Sequence, residues 1–191
     1  MALPILMLEQ NALSPRFGYV FHRSWLQPYE SVVSMFWKFI RMNRVSGATL
    51  VRQLCPDPAD PYEGMSMRNL DARLIARLLD IPRRSVFEGM VRASDGRSSL
   101  RFCSRCMSLG YHGVVHQRES LTRCPIHGLP LLTACVHCGR ASSYWLDAAL
   151  LDAPYRCRHC RRHYGSRGPS PLPCVPLTPE RRIAVTRAAI G

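Results

Sequence analysis

A chain of 191 residues suffices for one or two domains. It carries 26 basic and 13 acidic residues, a formal charge of +13, and the basic residues are 25 arginines and the single Lys38. No apolar run approaches the roughly 20 residues of a membrane span. No basic segment followed by a long apolar run and a small-residue cleavage site marks a secretory signal. With 47% apolar residues the chain builds a core and does not read as disordered. The expectations are no membrane partner, a cytoplasmic location and a polyanionic ligand, most simply nucleic acid. Arginine suits that role because its planar fork grips a phosphate with two hydrogen bonds.

In chain order, Phe17, Tyr19, Phe21 and Trp25 alternate with other residues, as in an irregular strand or a segment laying aromatics onto the first helix. Val32, Met35, Phe36, Phe39 and Ile40 then repeat at helical spacing. Pro28-Tyr29-Glu30-Ser31 supplies a start for that helix, and Asn43 and Gly47 a stop. A second short helix is predicted over 48–54, ended by Pro56, Pro58 and Pro61. Asn69 is the predicted cap of a third helix, with Leu70, Leu74, Ile75 and Leu78 on one side and Arg68, Arg73 and Arg77 around it. Asp80-Ile81-Pro82 breaks it, and 83–90 forms a fourth with Val86, Phe87 and Met90 inward. Two short helices around such a turn read as a helix-turn-helix or as plain core packing. Residues 93–100 read as a linker. A Pro-rich spacer follows Gly165 and contains Cys174. Thr178-Pro179-Glu180 opens a last basic helix anchored by Ile183, Val185 and Ile190.

Nine cysteines in a reducing compartment read as metal ligands. Four pairs stand in order: Cys103 with Cys106, Cys124 with His127, Cys135 with Cys138, and Cys157 with Cys160, each separated by two residues. Such a turn aims two ligands at one ion, and two turns complete a tetrahedron. Gly128 and Gly139 directly follow two of the pairs, where a tight knuckle gains from a missing β-carbon. Two structural Zn²⁺ ions are expected. Pairing in sequence gives one site of three cysteines and a histidine and one of four cysteines. A cross-braced pairing uses the same residues. A [4Fe–4S] cluster is disfavoured by the histidine. Two divalent ions against seven thiolates lower the formal charge of +13 by three, so the chain stays basic. Cys55 and Cys174 are left over as ordinary thiols, and His112, His116, His137, His159 and His163 as polar loop residues. Asp57 and Asp60 sit by prolines, and Asp71 and Asp80 at opposite helix ends, so no carboxylate pair suggests a Mg²⁺ enzyme. The phosphate-contact candidates are Arg83, Arg84, Arg158, Arg161 and Arg162, the last three beside the all-cysteine pairs.

The fold class expected is mostly α with small β. A helix-turn-helix-like helical domain covers 1–95, a double zinc-binding domain of zinc-finger or zinc-ribbon type covers 100–166, and a spacer with a short basic helix covers 167–191.

Cys103-Ser-Arg-Cys106-Met-Ser-Leu-Gly110-Tyr111-His112, His116-Gln117, Arg123-Cys124-Pro125-Ile126-His127-Gly128-Leu129-Pro130-Leu131-Leu132 and Cys135-Val-His-Cys138-Gly139 together resemble the TniQ/TnsD family of transposition proteins. Tyr29-Glu30-Ser31 followed by Asn43 is similar to that family's N-terminal block, and Cys157 and Cys160 to its closing pair. The likeness spans roughly 25–165. It departs at Ser104 and Val136, where members often carry proline, and at Leu121, where an aromatic is common. The resemblance implies a non-catalytic adaptor in DNA transposition. Such a protein links a target-site signal, on DNA or a CRISPR effector complex, to a TnsC-like AAA+ ATPase. Some members dimerise, which makes a homodimer part of what the resemblance implies. A stand-alone zinc-dependent DNA-binding regulator is the alternative.

Overall fold

The computed structural model describes residues 19–55, 60–90, 99–165 and 178–190. Helix α1, Val32–Asn43, is capped by Ser31, whose Oγ accepts from the Ser34 N–H at 3.2 Å. It ends at Arg44, which adopts a left-handed φ of 52°. The periodic residues Val32, Met35, Phe36, Phe39 and Ile40 are buried as expected, but Val33, Ser34 and Trp37 are buried too. The first two turns of α1 therefore have no solvent face. One side takes Tyr19, whose ring lies 5.4 Å from that of Phe39. Another meets the cysteine-rich half: the Trp37 indole donates to the Leu150 carbonyl at 2.9 Å, and its ring lies 4.9 Å from that of Tyr155.

Gly47 opens helix α2, Gly47–Leu54, under the cap of Ser46, instead of closing α1. A β-carbon at Gly47 would stand 2.6 Å from the Ala148 carbonyl, so the missing side chain is what lets α2 approach α6, Ala148–Leu151. Helix α3, Ala72–Leu79, starts two residues later than expected. Its cap is Asp71, whose carboxylate accepts from the Arg73 N–H at 2.7 Å, while Asn69 closes a short 3-10 turn, Met67–Asn69. Through Asp80-Ile81-Pro82 the chain turns into α4, Arg83–Gly89, which packs on α3. Val86 faces inward, but Phe87 is 52% exposed, contrary to the sequence reading, and the Arg83 guanidinium lies over its ring at 4.9 Å.

Helix α5, Ser104–Ser108, carries the first cysteine pair. Among the described residues β-structure is limited to isolated antiparallel bridges, so the architecture is mostly helical. Two bridges tie the halves together, Glu30 with Gly113 and Met65 with Leu146. One hydrophobic cluster runs from α1–α4 through Phe102, Leu146, Leu150 and Tyr155 to Cys135 and Cys157. Helix α7, Pro179–Ile190, lies against the short 3-10 turn Val114–Gln117. Arg182 and Thr186 are its buried residues, whereas Ile183 and Val185 are half-buried. The predicted linker over 93–100 ends earlier than expected: Ser99 bridges to Ser143, and Leu100 is buried and donates to the Ser142 carbonyl at 2.7 Å, so both belong to the fold. The rest of that linker, the spacer with Cys174, Asp57 and Phe17 lie outside the described residues, as does the side chain of Ile190. No helix among those described is long and apolar enough to cross a membrane.

Candidate metal centres

Three of the four ligand pairs sit on one repeated backbone turn. In each, the first ligand's carbonyl accepts from the N–H four residues on: Gly128 to Cys124 at 2.8 Å, Gly139 to Cys135 at 2.8 Å, and Arg161 to Cys157 at 2.9 Å. The donor residue is left-handed each time, with φ of 65°, 68° and 59°. Glycine holds that conformation without strain in the first two turns; Arg161 holds it in the third and donates from Nη1 to the Asp152 carbonyl at 3.0 Å. An antiparallel bridge closes each turn: Arg123 with Pro130, Ala134 with Ala141, and Arg156 with His163. The Cys103–Cys106 pair differs, since it spans the N-terminus of α5.

The pairs converge in sequence order. Cys103, Cys106, Cys124 and His127 form one cluster and Cys135, Cys138, Cys157 and Cys160 the other, which removes the cross-braced arrangement. The separations fit tetrahedral chelation. Ligands at about 2.3 Å from a zinc ion stand about 3.8 Å apart along a sulfur–sulfur edge and about 3.6 Å along a sulfur–nitrogen edge. Cys106 and Cys124 sulfurs lie 3.8 Å apart, and Cys135–Cys160 and Cys138–Cys157 3.7 Å. His127 Nδ1 is 3.5, 3.2 and 3.8 Å from Cys103, Cys106 and Cys124. All eight residues are positioned to hold two metal ions, and the cysteines are free thiols, far from disulfide distance. The four-cysteine centre belongs to the main core through Cys135 and Cys157, while the first has its own small cluster with Tyr111.

His112 and His116 are fully buried, His112 in the loop after α5 and His116 in the 3-10 turn Val114–Gln117, so they are core residues and not surface ones. His112 Nε2 faces the Arg101 carbonyl at 2.9 Å and therefore carries the proton. Nδ1 then accepts from the Ser31 hydroxyl at 2.7 Å, which joins the α1 cap to the metal-binding half. His116 Nδ1 accepts from the Gly113 N–H at 3.2 Å, so its protonated Nε2 is the atom facing the Cys124 sulfur at 3.8 Å. That contact supports the thiolate from outside the ligand shell. Burial lowers the pKa of His112 from 6.5 to about 4. Between those values the unfolded chain binds a proton that the folded chain refuses, so stability falls as pH drops through the window. The expected loss is on the order of 3 kcal/mol at its acid end. His112→Gln should flatten this part of the Tm profile of the metal-loaded protein; parallel profiles would refute it.

Glu30 is likewise buried and unannounced by the sequence. Burial raises its carboxyl pKa, against the pull of the Lys38 ammonium at 2.7 Å and the Ser34 hydroxyl, which donates at 2.6 Å. Of the predicted phosphate contacts, Arg158 is bound to Asp147 at 2.7 Å and to Ser143, and is largely enclosed. Arg161 and Arg162 are exposed on the rim of the four-cysteine centre. Arg83 and Arg84 are exposed on α4, with Arg84 paired to Glu88 at 2.9 Å. No protein-family model matches the chain, and no curated protein matches it.

Proposed function

We propose that this chain is a non-catalytic, zinc-stabilised adaptor of DNA transposition that contacts nucleic-acid phosphates and passes a target-site signal to a TnsC-like AAA+ ATPase. The observation carrying this reading is the exposed pair Arg161–Arg162 held on the rim of a four-cysteine centre within a chain of charge +13. A rigid cationic rim binds phosphate at low ordering cost. Zinc is the metal in this reading because four thiolates, or three with an imidazole, at tetrahedral spacing select it. A structural role follows from the donor count, since each centre offers four protein ligands and a catalytic zinc keeps one position for water. The TniQ-like motif supports the transposition context, and free thiols suit a cytoplasmic location.

A second reading, a stand-alone zinc-dependent DNA-binding regulator, draws on α4, which exposes Arg83, Arg84 and Phe87 after the turn from α3 in the manner of a helix-turn-helix. Fluorescence anisotropy with duplex DNA tests both. About four phosphate contacts should give roughly a 100-fold loss of affinity between about 50 and 200 mM salt. Arg161→Glu with Arg162→Glu should weaken binding equally on all sequences. Salt-independent or absent binding would refute the first reading. A single preferred sequence, lost on changing Arg83 and Arg84, would favour the second.

A further inference from the structure

A cavity of about 600 Å³ lies between α1, the loop after α5 and α7. Trp25, Tyr111 and Tyr155 contribute aromatic wall, and Lys38, Arg41 and Arg182 contribute charge. No carboxylate lines it.

The three cations differ in how their charge is answered. The Lys38 ammonium is bound by Glu30 at 2.7 Å and donates to the Trp25 carbonyl at 2.6 Å, so it is neutralised within the protein. Arg41 is exposed and has no carboxylate partner among the described residues. Arg182 is only 5% exposed. Its guanidinium lies 3.9 Å above the Tyr111 ring, and its Nε and Nη1 are enclosed without an acceptor. A ring face answers part of the charge but supplies no hydrogen-bond acceptor to in-plane N–H groups. A desolvated guanidinium short of acceptors, on the wall of a cavity that a second free guanidinium also lines, is matched by a multivalent oxyanion. A phosphate offers several acceptor oxygens and up to two negative charges for two cations.

The geometry points to a phosphate-binding pocket formed by Arg41 and Arg182 beside the first metal centre, taking the phosphate monoester of a nucleotide or a free phosphate. The site lies apart from the Arg161–Arg162 rim and does not depend on the adaptor reading. Because Arg182 sits on α7 and Arg41 on α1, an occupied pocket also pins the C-terminal helix to the core.

Isothermal titration of the zinc-loaded full chain tests this with three probes: inorganic phosphate, a 5′-phosphorylated trinucleotide and its 5′-hydroxyl counterpart. Saturable binding of the phosphorylated probes is expected, at least tenfold weaker in Arg182→Met. Arg41→Ala, on an exposed side chain, should also weaken binding about tenfold without moving Tm, which keeps the test sound if Arg182→Met misfolds. In the Arg161→Glu, Arg162→Glu protein the preference for the 5′-phosphorylated over the 5′-hydroxyl trinucleotide should persist, separating this pocket from the rim. A stronger response to the phosphorylated trinucleotide than to inorganic phosphate identifies a nucleic-acid end as the source; equal responses identify free phosphate. Absence of saturation up to about 10 mM, equal affinity for the hydroxyl trinucleotide, or unaltered binding by Arg41→Ala would overturn the assignment.

Discussion

Cys124→Ser should reduce the bound zinc from two ions to one in native mass spectrometry and unfold the segment from Cys103 to His127. Structural zinc supplies apparent binding energy of about 10–16 kcal/mol in small zinc domains, comparable to the whole stability of a typical fold. A serine hydroxyl offers no thiolate, and it leaves Cys103, Cys106 and His127 converging on an incomplete shell. The loss should begin at this centre, which packs with Tyr111 in a cluster separate from the main core, and reach α1 through the His112–Ser31 bond and the Glu30–Gly113 bridge. Cys157→Ser should instead lower global stability, since Cys157 and Cys135 belong to the cluster that includes α1. Hydrogen exchange distinguishes the two outcomes. Two retained ions and an unchanged melting curve in Cys124→Ser would remove the metal-centre account.

Trp37→Ala is expected to cost about 3–5 kcal/mol, the usual range for deleting a large buried aromatic. Trp37 is fully buried, its ring meets Tyr155, and its indole donates to the Leu150 carbonyl. Truncation would leave a cavity at the seam between α1 and the cysteine-rich half and strip that carbonyl of its donor. Chemical denaturation should show both halves losing stability together. A loss below about 1 kcal/mol would mean that the seam is not the joint described here.

The eight ligands were legible because metal chelation is written in local spacing: a two-residue gap places both donors on one turn whatever surrounds it. Helix caps were partly legible for the same reason. Ser31 stands at the start of α1 as expected, whereas Asp71 takes the cap of α3 from Asn69, because Asn69 is the last residue of the 3-10 turn Met67–Asn69 and Leu70 is extended. Apolar character alone does not fix which side of a short helix meets the core: in α4 Val86 turns inward and Phe87 does not, leaving its ring to the Arg83 guanidinium. His112, His116, Glu30 and Arg182 carry no periodic signal. Their neighbours lie far along the chain, as Ser31 does from His112, 81 residues away.

Sequence alone determined the eight metal ligands, the basic character and the positions of most helices, since each depends on composition or on residues a few positions apart; which four ligands share a centre was left to the tertiary structure. Tertiary structure decided that the first two turns of α1 are buried all round, that two histidines and a glutamate become core residues, and that Arg182 is enclosed over Tyr111. Burial and charge compensation are set by what packs from distant chain segments, and no local pattern encodes that.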